Sequence, residues 1–346
     1  SFKYIYTMTI IHQKAYSILE NSIKKNSISH FYIFHGPNNV GKKNLAISFV
    51  KLLLCENQDL DSKTTDNCPS CKKIDEEKHF DVVFMDSKSS VDGIDENKSD
   101  QIRLPHVQEI SRIANLGPFM SNYKVFILDA AEKLNNEASN AFLKLLEEPP
   151  KSSIFLFLVN DLSSIYPTIL SRAQKINVLE ISKKEIHTHI SSNFDIDDSI
   201  INKVIHLSLG RIEVAEKLSS DPSLIDGYYE SYDRFVEFCR TDISDRMDFA
   251  QKFSTRYRTD RNAIFKELDL WIDFCNITMN NLYQDEKDSI FETKLSDMFD
   301  TKEINHIVIE LIKTISNLKS NANPRLVFDV MSLNLPFYQK EKSHGV

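Results

Sequence analysis

The chain has 346 residues, of which 41% are hydrophobic, so two or three domains can each bury a core. Its formal net charge of −8 excludes a surface built to coat a polyanion, and any nucleic-acid contact needs a local patch or partner subunits. The sequence has neither a run of about 18 apolar residues nor a signal-peptide pattern, and its five cysteines are scattered, so we expect a reducing, cytoplasmic location.

The first half of the chain alternates between short apolar runs and helical patterns. Near-continuous apolar runs are typical of strands covered on both faces, which predicts a largely parallel sheet between helices. The four runs span residues 31–34, 81–85, 125–128 and 154–159. This part of the chain is therefore predicted to be an α/β domain.

Two helices are predicted between these strands, at residues 42–55 and 137–148, because apolar side chains recur there on one stripe. Asn135 or Asn136 is the expected N-cap of the second helix. The pair Pro149-Pro150 must end it, since a residue before proline is pushed out of the helical region.

Beyond residue 178 no strong strand run follows, and helical patterns dominate. We expect the α/β domain at residues 1–180, a small helical domain at residues 181–221 and an all-helical domain at residues 222–346. Residues 57–101 are polar around one strand and predict long surface excursions from the sheet.

The stretch HGPNNVGKKN follows the first predicted strand and opens a helix. Gly36, Gly41 and Lys42 fit the phosphate-binding pattern G-x-x-x-x-G-K-[ST], in which backbone N–H groups and the lysine hold phosphates. Lys43 stands where a serine or threonine would hold magnesium, and an ammonium cannot do so. The loop is thus predicted to be a phosphate loop with a degenerate site; the alternative is a plain strand-to-helix turn with an exposed lysine.

Asp129 follows the third strand, where phosphate-loop ATPases place an Asp-Glu pair. Ala130 replaces the glutamate and cannot polarise a water molecule. Asp129 is either a remnant of a nucleotide site or a strand-end carboxylate that caps the next turn.

Arg172 follows the fourth strand and a short helical turn. One arginine is usually part of a surface ion pair. The other reading is a cationic finger that stabilises charge on the γ-phosphate in a neighbouring subunit, worth on the order of 10³ to 10⁵ in rate.

Cys68 and Cys71 have the C-x2-C spacing of a structural zinc site, and Cys55 lies upstream. Ile74 stands where a second step of the same spacing would put a fourth ligand, and His79 is the candidate substitute. Zinc binding and reduced free thiols both remain open.

The chain resembles the bacterial DNA polymerase III clamp-loader family in the stretches GPNNVGKKN, CPSCKK, KHFDVVFM, IRLPHVQEI, KVFILDAAEKLNNEASNAFLKLLEEPP and PTILSRAQ. The resemblance covers about residues 10–220. It implies an AAA+ (additional-strand, phosphate-loop) α/β domain with a parallel sheet, a small helical lid domain and an all-α collar domain that packs into a five-membered ring.

Within that family the chain is most similar to the delta-prime type, a stator with a degenerate nucleotide site. The ATP-hydrolysing gamma/tau type keeps the hydroxyl and the Asp-Glu pair, which Lys43 and Ala130 replace here. Glu213 stands where that type has a nucleotide-sensing arginine. The family's Ser-Arg-Cys motif corresponds to Ser171, Arg172 and Ala173, which implies the trans-acting finger role for Arg172.

The resemblance implies a non-hydrolysing subunit of the polymerase holoenzyme that requires no cofactor of its own, with zinc as an open case and ATP bound mainly by neighbouring subunits. The implied partners are gamma/tau and delta subunits in a hetero-pentamer, a sliding clamp, and primer-template DNA through the complex. The alternatives are an active AAA+ ATPase, either a loader motor or a branch-migration motor, and a DNA-binding adaptor without a ring.

Overall fold

A computed structural model of the chain describes residues 11–56, 68–91, 100–283, 294–320 and 322–338. The chain forms two compact units. The first contains residues 1–195 and 210–216, and the second contains residues 196–209 and 217–346. The division into three domains stays a prediction, as does the degenerate zinc-module insertion expected at about residues 55–80, of which residues 57–67 lie outside the described residues.

The first unit is built around a five-stranded parallel sheet of order β2-β3-β4-β1-β5. The strands are β1 (Phe31–His35), β2 (Val82–Met85), β3 (Lys124–Leu128), β4 (Ser153–Val159) and β5 (Gln174–Asn177). Every residue of β3 and β4 is buried, as their continuous apolar character predicts. The predicted α/β class with a parallel sheet is confirmed.

Strand β5 was missed by the sequence reading. Its residues QKIN include one fully buried side chain, Ile176, because β5 is an edge strand that pairs only with β1 among the described strands. An edge strand needs less apolar surface than a central one. Its polar residues therefore resemble a loop in sequence.

Helices cover both faces of the sheet. They are α1 (Gln13–Lys24), α2 (Lys42–Leu54), α3 (Pro69–Asp75), α4 (Leu104–Asn115), α5 (Asn136–Glu147) and α6 (Pro167–Leu170), and α7 (Lys183–Asn193) follows β5 in the chain. Because side chains alternate along a strand, Tyr32 and Phe34 pack in one apolar cluster, whereas Phe31 and Ile33 pack in another. Asn135 is the N-cap of α5 and accepts the Ala138 N–H.

The second unit is helical over its described residues, as the sequence predicts for this part of the chain. Its helices are α8 (Asp198–Ser208), α10 (Leu224–Arg240), α11 (Ile243–Thr259), α12 (Arg261–Tyr283), α13 (Thr301–Lys319) and α14 (Pro324–Asn334), while α9 (Ile212–Ser220) spans the boundary between the units. None of the described helices is long and apolar enough to cross a membrane.

Arg246 is fully buried in the second unit and joins the ends of two helices. Its guanidinium donates to the carbonyl oxygens of Phe238, Cys239, Ser332, Leu335 and Pro336. These carbonyls lie at the C-terminal ends of α10 and α14, where the helix dipole favours a cation. Arg246 thus holds the two helix ends together through carbonyl oxygens, with no carboxylate partner in the part of the chain that the structure describes.

Candidate nucleotide site and arginine turn

The predicted phosphate loop lies at the carboxyl end of β1 and leads into α2. Its backbone adopts positive φ at Gly36 (153°), Asn39 (63°) and Gly41 (94°). A Cβ atom on Gly36 would lie 1.8 Å from the carbonyl oxygen of Val178, so only glycine fits there. The strand, glycine turn and helix therefore occur in the order that the motif requires.

Lys42 is buried, and its ammonium is bound by the loop itself. Nζ donates to the carbonyl oxygens of Gly36 (2.8 Å) and Pro37 (2.5 Å) and to Oδ1 of Asn160 (2.9 Å). Burial lowers the pKa of Lys42, and the nearby carboxylates of Glu213, Glu132 and Asp129 oppose that shift. The lysine expected to reach phosphates is thus held by oxygen atoms of its own chain.

The structure adds two residues to this site, Asn160 and Glu132, which the sequence analysis missed. Asn160 follows β4 and its Nδ2 donates to Oε1 of Glu132. Ala130 adopts a left-handed backbone, with φ of 50°, and the short helix that follows it contains Glu132. The available sequence signal was that Asn160 directly follows the apolar run of β4. Because β4 lies beside β1 and parallel to it, a residue at that position lies at the same edge of the sheet as the phosphate loop.

Asp129 lies at the carboxyl end of β3, as predicted, with an exposed side chain. Its Oδ1 accepts the N–H of Ala130 at 2.8 Å, which is the contact expected of a carboxylate that caps a turn. Its charge also acts on the pKa of Lys42. The arrangement is compatible with both readings of Asp129.

Lys43 is directed to a different part of the first unit. Its Nζ forms an ion pair with Oε1 of Glu77 at 2.6 Å and lies 5.3 Å from the centre of the Phe84 ring. Glu77 follows α3, and Phe84 belongs to β2. The residue at the position of the magnesium ligand is therefore engaged in an ion pair outside the loop.

Arg172 lies between α6 and β5, at the opposite end of the sheet from the phosphate loop. Gln174, the first residue of β5, is in register with Tyr32 of β1, whereas the loop follows the last residue of β1. The guanidinium donates to Oε1 of Glu147 (2.7 Å) and to the carbonyl of Thr168 (2.8 Å). Its side chain is 35% exposed.

The beginning of β2 lies at the same end of the sheet as Arg172. Asp81 is fully buried, and its carboxylate accepts the backbone N–H groups of Phe119, Met120 and Ser121. Burial raises the pKa of Asp81, but these three donors outweigh it and hold the pKa below its usual value. The loop that they fix leaves Phe119 exposed.

The structure brings the three predicted cysteines together. The sulfur atoms of Cys55, Cys68 and Cys71 lie within 4.8 Å of one another, and all three side chains are buried. Burial raises the pKa of Cys71, whereas N–H donors from Cys71 and Glu56 outweigh burial at Cys68 and lower its pKa. Three corners of a tetrahedral zinc site are thus available.

A fourth ligand is missing among the described residues. Ile74 is fully buried in apolar surroundings. His79 uses Nε2 in a hydrogen bond with Ser70 (2.8 Å) and accepts the Asp81 N–H at Nδ1 (3.1 Å). The described residues fit a closed zinc site only in part, because such a site needs four ligands, and zinc binding stays a prediction.

The five-stranded parallel sheet, the glycine loop after β1 and the acidic residue after β3 define a phosphate-loop protein of the AAA+ class. A family model described as "DNA polymerase III, delta subunit" matches residues 11–182. Through these residues, the chain belongs to the clamp-loader family of DNA polymerase III.

Individual relatives are similar over about half of the chain. The tau subunit of DNA polymerase III of Bacillus subtilis is 33% identical over 168 residues, which are 49% of this chain and 28% of tau. The delta' subunit of the same organism is 25% identical over 183 residues, which are 53% of this chain and 52% of delta'. The matches thus span about a quarter of tau and about half of delta'.

A solved structure of a gamma subunit-related protein of Thermotoga maritima aligns with 93% of this chain and 99% of its own, at 16% identity and a TM-score of 0.47. The clamp loader delta protein of Bacillus subtilis aligns with 92% of this chain and 99% of its own, at 13% identity and a TM-score of 0.34.

Proposed function

We propose that this chain is a non-hydrolysing, delta-prime-type subunit of a clamp loader and that Arg172 acts on ATP bound by a neighbouring subunit. The observation that carries the proposal is the position of Arg172. It lies at the end of the strands opposite to the chain's own phosphate loop, with its side chain partly exposed. An arginine there is too far from its own loop to act on it but is accessible to another chain.

The chain's own loop supports the same conclusion. Lys42 is bound by loop carbonyls, Lys43 is paired with Glu77, and Ala130 replaces the glutamate that would polarise water. Magnesium requires oxygen ligands, and the ammonium of Lys43 supplies none. The site therefore lacks a metal ligand and a base at the positions where phosphate-loop ATPases have them.

In this proposal the partners are gamma/tau and delta subunits in a five-membered ring, a sliding clamp, and primer-template DNA held by the complex. The chain would support the geometry of the ring and supply the guanidinium of Arg172, and it would not hydrolyse ATP itself. A guanidinium is suited to that task because it stays charged and presents planar donors to phosphate oxygens.

The test is clamp- and DNA-stimulated ATP hydrolysis by a loader reconstituted with this chain, comparing wild type with Arg172→Ala. We expect hydrolysis to fall by about 10³-fold, because a trans arginine stabilises transition-state charge. The isolated chain should show no turnover.

Arg112→Ala is the matched control, because Arg112 also forms an exposed ion pair with a glutamate, Glu109, in the first unit. Assembly of each loader is checked by size-exclusion chromatography before the rates are compared. Equal hydrolysis in the Arg172→Ala and Arg112→Ala loaders would exclude the finger role. Turnover by the isolated chain would exclude the non-hydrolysing role.

The second candidate is an active tau-type motor, which the 33% identity to a tau subunit favours. Glu132 is the carboxylate that could act as a base, since it lies two residues beyond Ala130 and accepts a hydrogen bond from Asn160. Hydrolysis by the isolated chain that is lost in Glu132→Gln would establish this candidate.

A further inference from the structure

Glu213 is fixed against the phosphate loop by its backbone. It lies in the first turn of α9, and its N–H donates to the carbonyl of Asn39 within the loop at 3.0 Å. The chain before it is also held, because the Ile181 N–H donates to the carbonyl of Gly210 at 2.9 Å. All these residues belong to the first unit.

The carboxylate of Glu213 acts on the groups that a phosphate loop uses to bind anions. Of the three carboxylates that act on the pKa of Lys42 it has the largest effect, and Lys42 and the backbone N–H of Gly41 both favour the ionised form of Glu213. The residue is half-buried. Burial raises the pKa of Glu213, and Lys42 opposes that shift.

These contacts are chemically equivalent to part of a phosphate complex. In a phosphate loop, backbone N–H groups and the lysine surround phosphate oxygens. Here Glu213 is held at the loop by its backbone contact with Asn39, its carboxylate acts on Lys42 and Gly41, and carbonyl and amide oxygens take the ammonium. A second anion at the same place would face a like charge in a half-buried site, which is unfavourable.

We propose that Glu213 occupies the phosphate loop as an internal anion and excludes the phosphates of a nucleotide from it. This inference deepens the proposed function and rests on it, since it gives a stator a physical means of leaving its own site unused. Glu213 is then a competitor of the nucleotide's phosphates for the loop.

The test is the binding of ADP, with and without Mg²⁺, to the full chain by isothermal titration calorimetry. Glu213→Gln keeps the shape of the side chain and removes its charge. We expect Glu213→Gln to bind ADP about tenfold or more tightly than wild type, the ratio that corresponds to one pKa unit of charge interaction. Glu180→Gln is the matched control, because Glu180 is an exposed carboxylate of the same unit, and it should bind as wild type does.

The pH dependence provides a second measurement on wild type and Glu213→Gln. Lys42, Glu216 and Asp129 are the charged groups that act on Glu213. As pH falls and Glu213 is protonated, the ADP affinity of wild type should approach that of Glu213→Gln. The titration of ADP itself affects both proteins equally, so it cancels when the affinity of Glu213→Gln is divided by that of wild type at each pH. An affinity ratio of Glu213→Gln to wild type that is near one at pH 8, or that does not fall between pH 8 and pH 5, would overturn the inference.

Failure of this inference and failure of the proposed function are distinguishable in the same samples. Equal ADP affinity in wild type and Glu213→Gln removes the role of Glu213 and leaves the non-hydrolysing stator intact. ATP turnover by the wild-type chain removes the stator, whatever the affinities are.

Discussion

The two ends of the parallel sheet hold their cations in different ways. At the carboxyl end, Lys42 is buried and bound by three oxygen atoms of the loop and of Asn160, with Glu213 close by. At the opposite end, Arg172 makes two hydrogen bonds within the described part of the chain and keeps its side chain partly exposed. A guanidinium has five N–H donors, so Arg172 retains donors for another molecule.

In the proposed function, this contrast is how one fold would lose its own chemistry and still serve a neighbour's. The loop keeps its backbone shape because Gly36 packs on Val178, and its charges are compensated internally. The side chain of Arg172 is held by an exposed ion pair with Glu147 and a hydrogen bond to the carbonyl of Thr168, and such an exposed pair is easily replaced. The following predictions test the contrast in order of decreasing effect.

The largest effect is expected for Arg172→Lys in the reconstituted loader. Lysine keeps the charge but loses the planar fork of donors. We expect ATP hydrolysis to fall by about 10²-fold or more, nearer to Arg172→Ala than to wild type. Full activity of Arg172→Lys would mean that charge alone is sufficient and would contradict a role for the guanidinium geometry.

Gly36→Ala should destabilise the first unit by about 3 kcal/mol or more, because the new Cβ would lie 1.8 Å from a backbone oxygen. Urea unfolding monitored by circular dichroism measures the change. Gly117→Ala at the other end of the sheet is the control. Its φ is also positive, but a Cβ there meets nothing within 4 Å, so about 1 kcal/mol is expected. Similar losses for both variants would contradict the packing argument.

Asp81→Asn should destabilise the chain by about 1 to 3 kcal/mol, because the buried carboxylate accepts three backbone N–H groups. The folded pKa of Asp81 is lowered. Its stabilisation is therefore present above the unfolded pKa of about 3.9 and is lost as pH falls through the folded pKa.

Urea unfolding at pH 7 and pH 3 checks the sign of this pH dependence. The difference between wild type and Asp81→Asn should be smaller at pH 3. Asp100→Asn is the control, since Asp100 is a more exposed carboxylate with a lowered pKa, and about 0.5 kcal/mol or less is expected. A difference for Asp81→Asn that is independent of pH would show that its charge is not involved.

The smallest effect is expected for Glu147→Gln. The ion pair of Glu147 with Arg172 is exposed, so its loss should cost less than about 1 kcal/mol and the loss should shrink in high salt. Loader hydrolysis should stay much closer to wild type than in Arg172→Ala. A loss as large as that of Arg172→Ala would mean that Glu147 positions the arginine for its task.

Much of the first unit follows from local sequence patterns. Four of the five strands are apolar runs, and the loop from Gly36 to Lys42 is recognisable from its spacing. Strand β5 was missed because an edge strand buries few side chains. A local sequence pattern identifies a strand or helix only when most of its buried positions carry apolar residues.

The candidate site was predictable in its motif residues and not in their partners. The sequence by itself determined that Gly36 and Asp129 lie at strand ends, because each closely follows an apolar run, and that Gly41 and Lys42 open the next helix, because the motif spacing places them there. Only the tertiary structure decided that Asn160 and Glu213 contact the loop and that Lys43 pairs with Glu77. The physical reason is that these contacts join residues 34 to about 170 positions apart, so they depend on strand order and on the packing of helices rather than on neighbours in the chain.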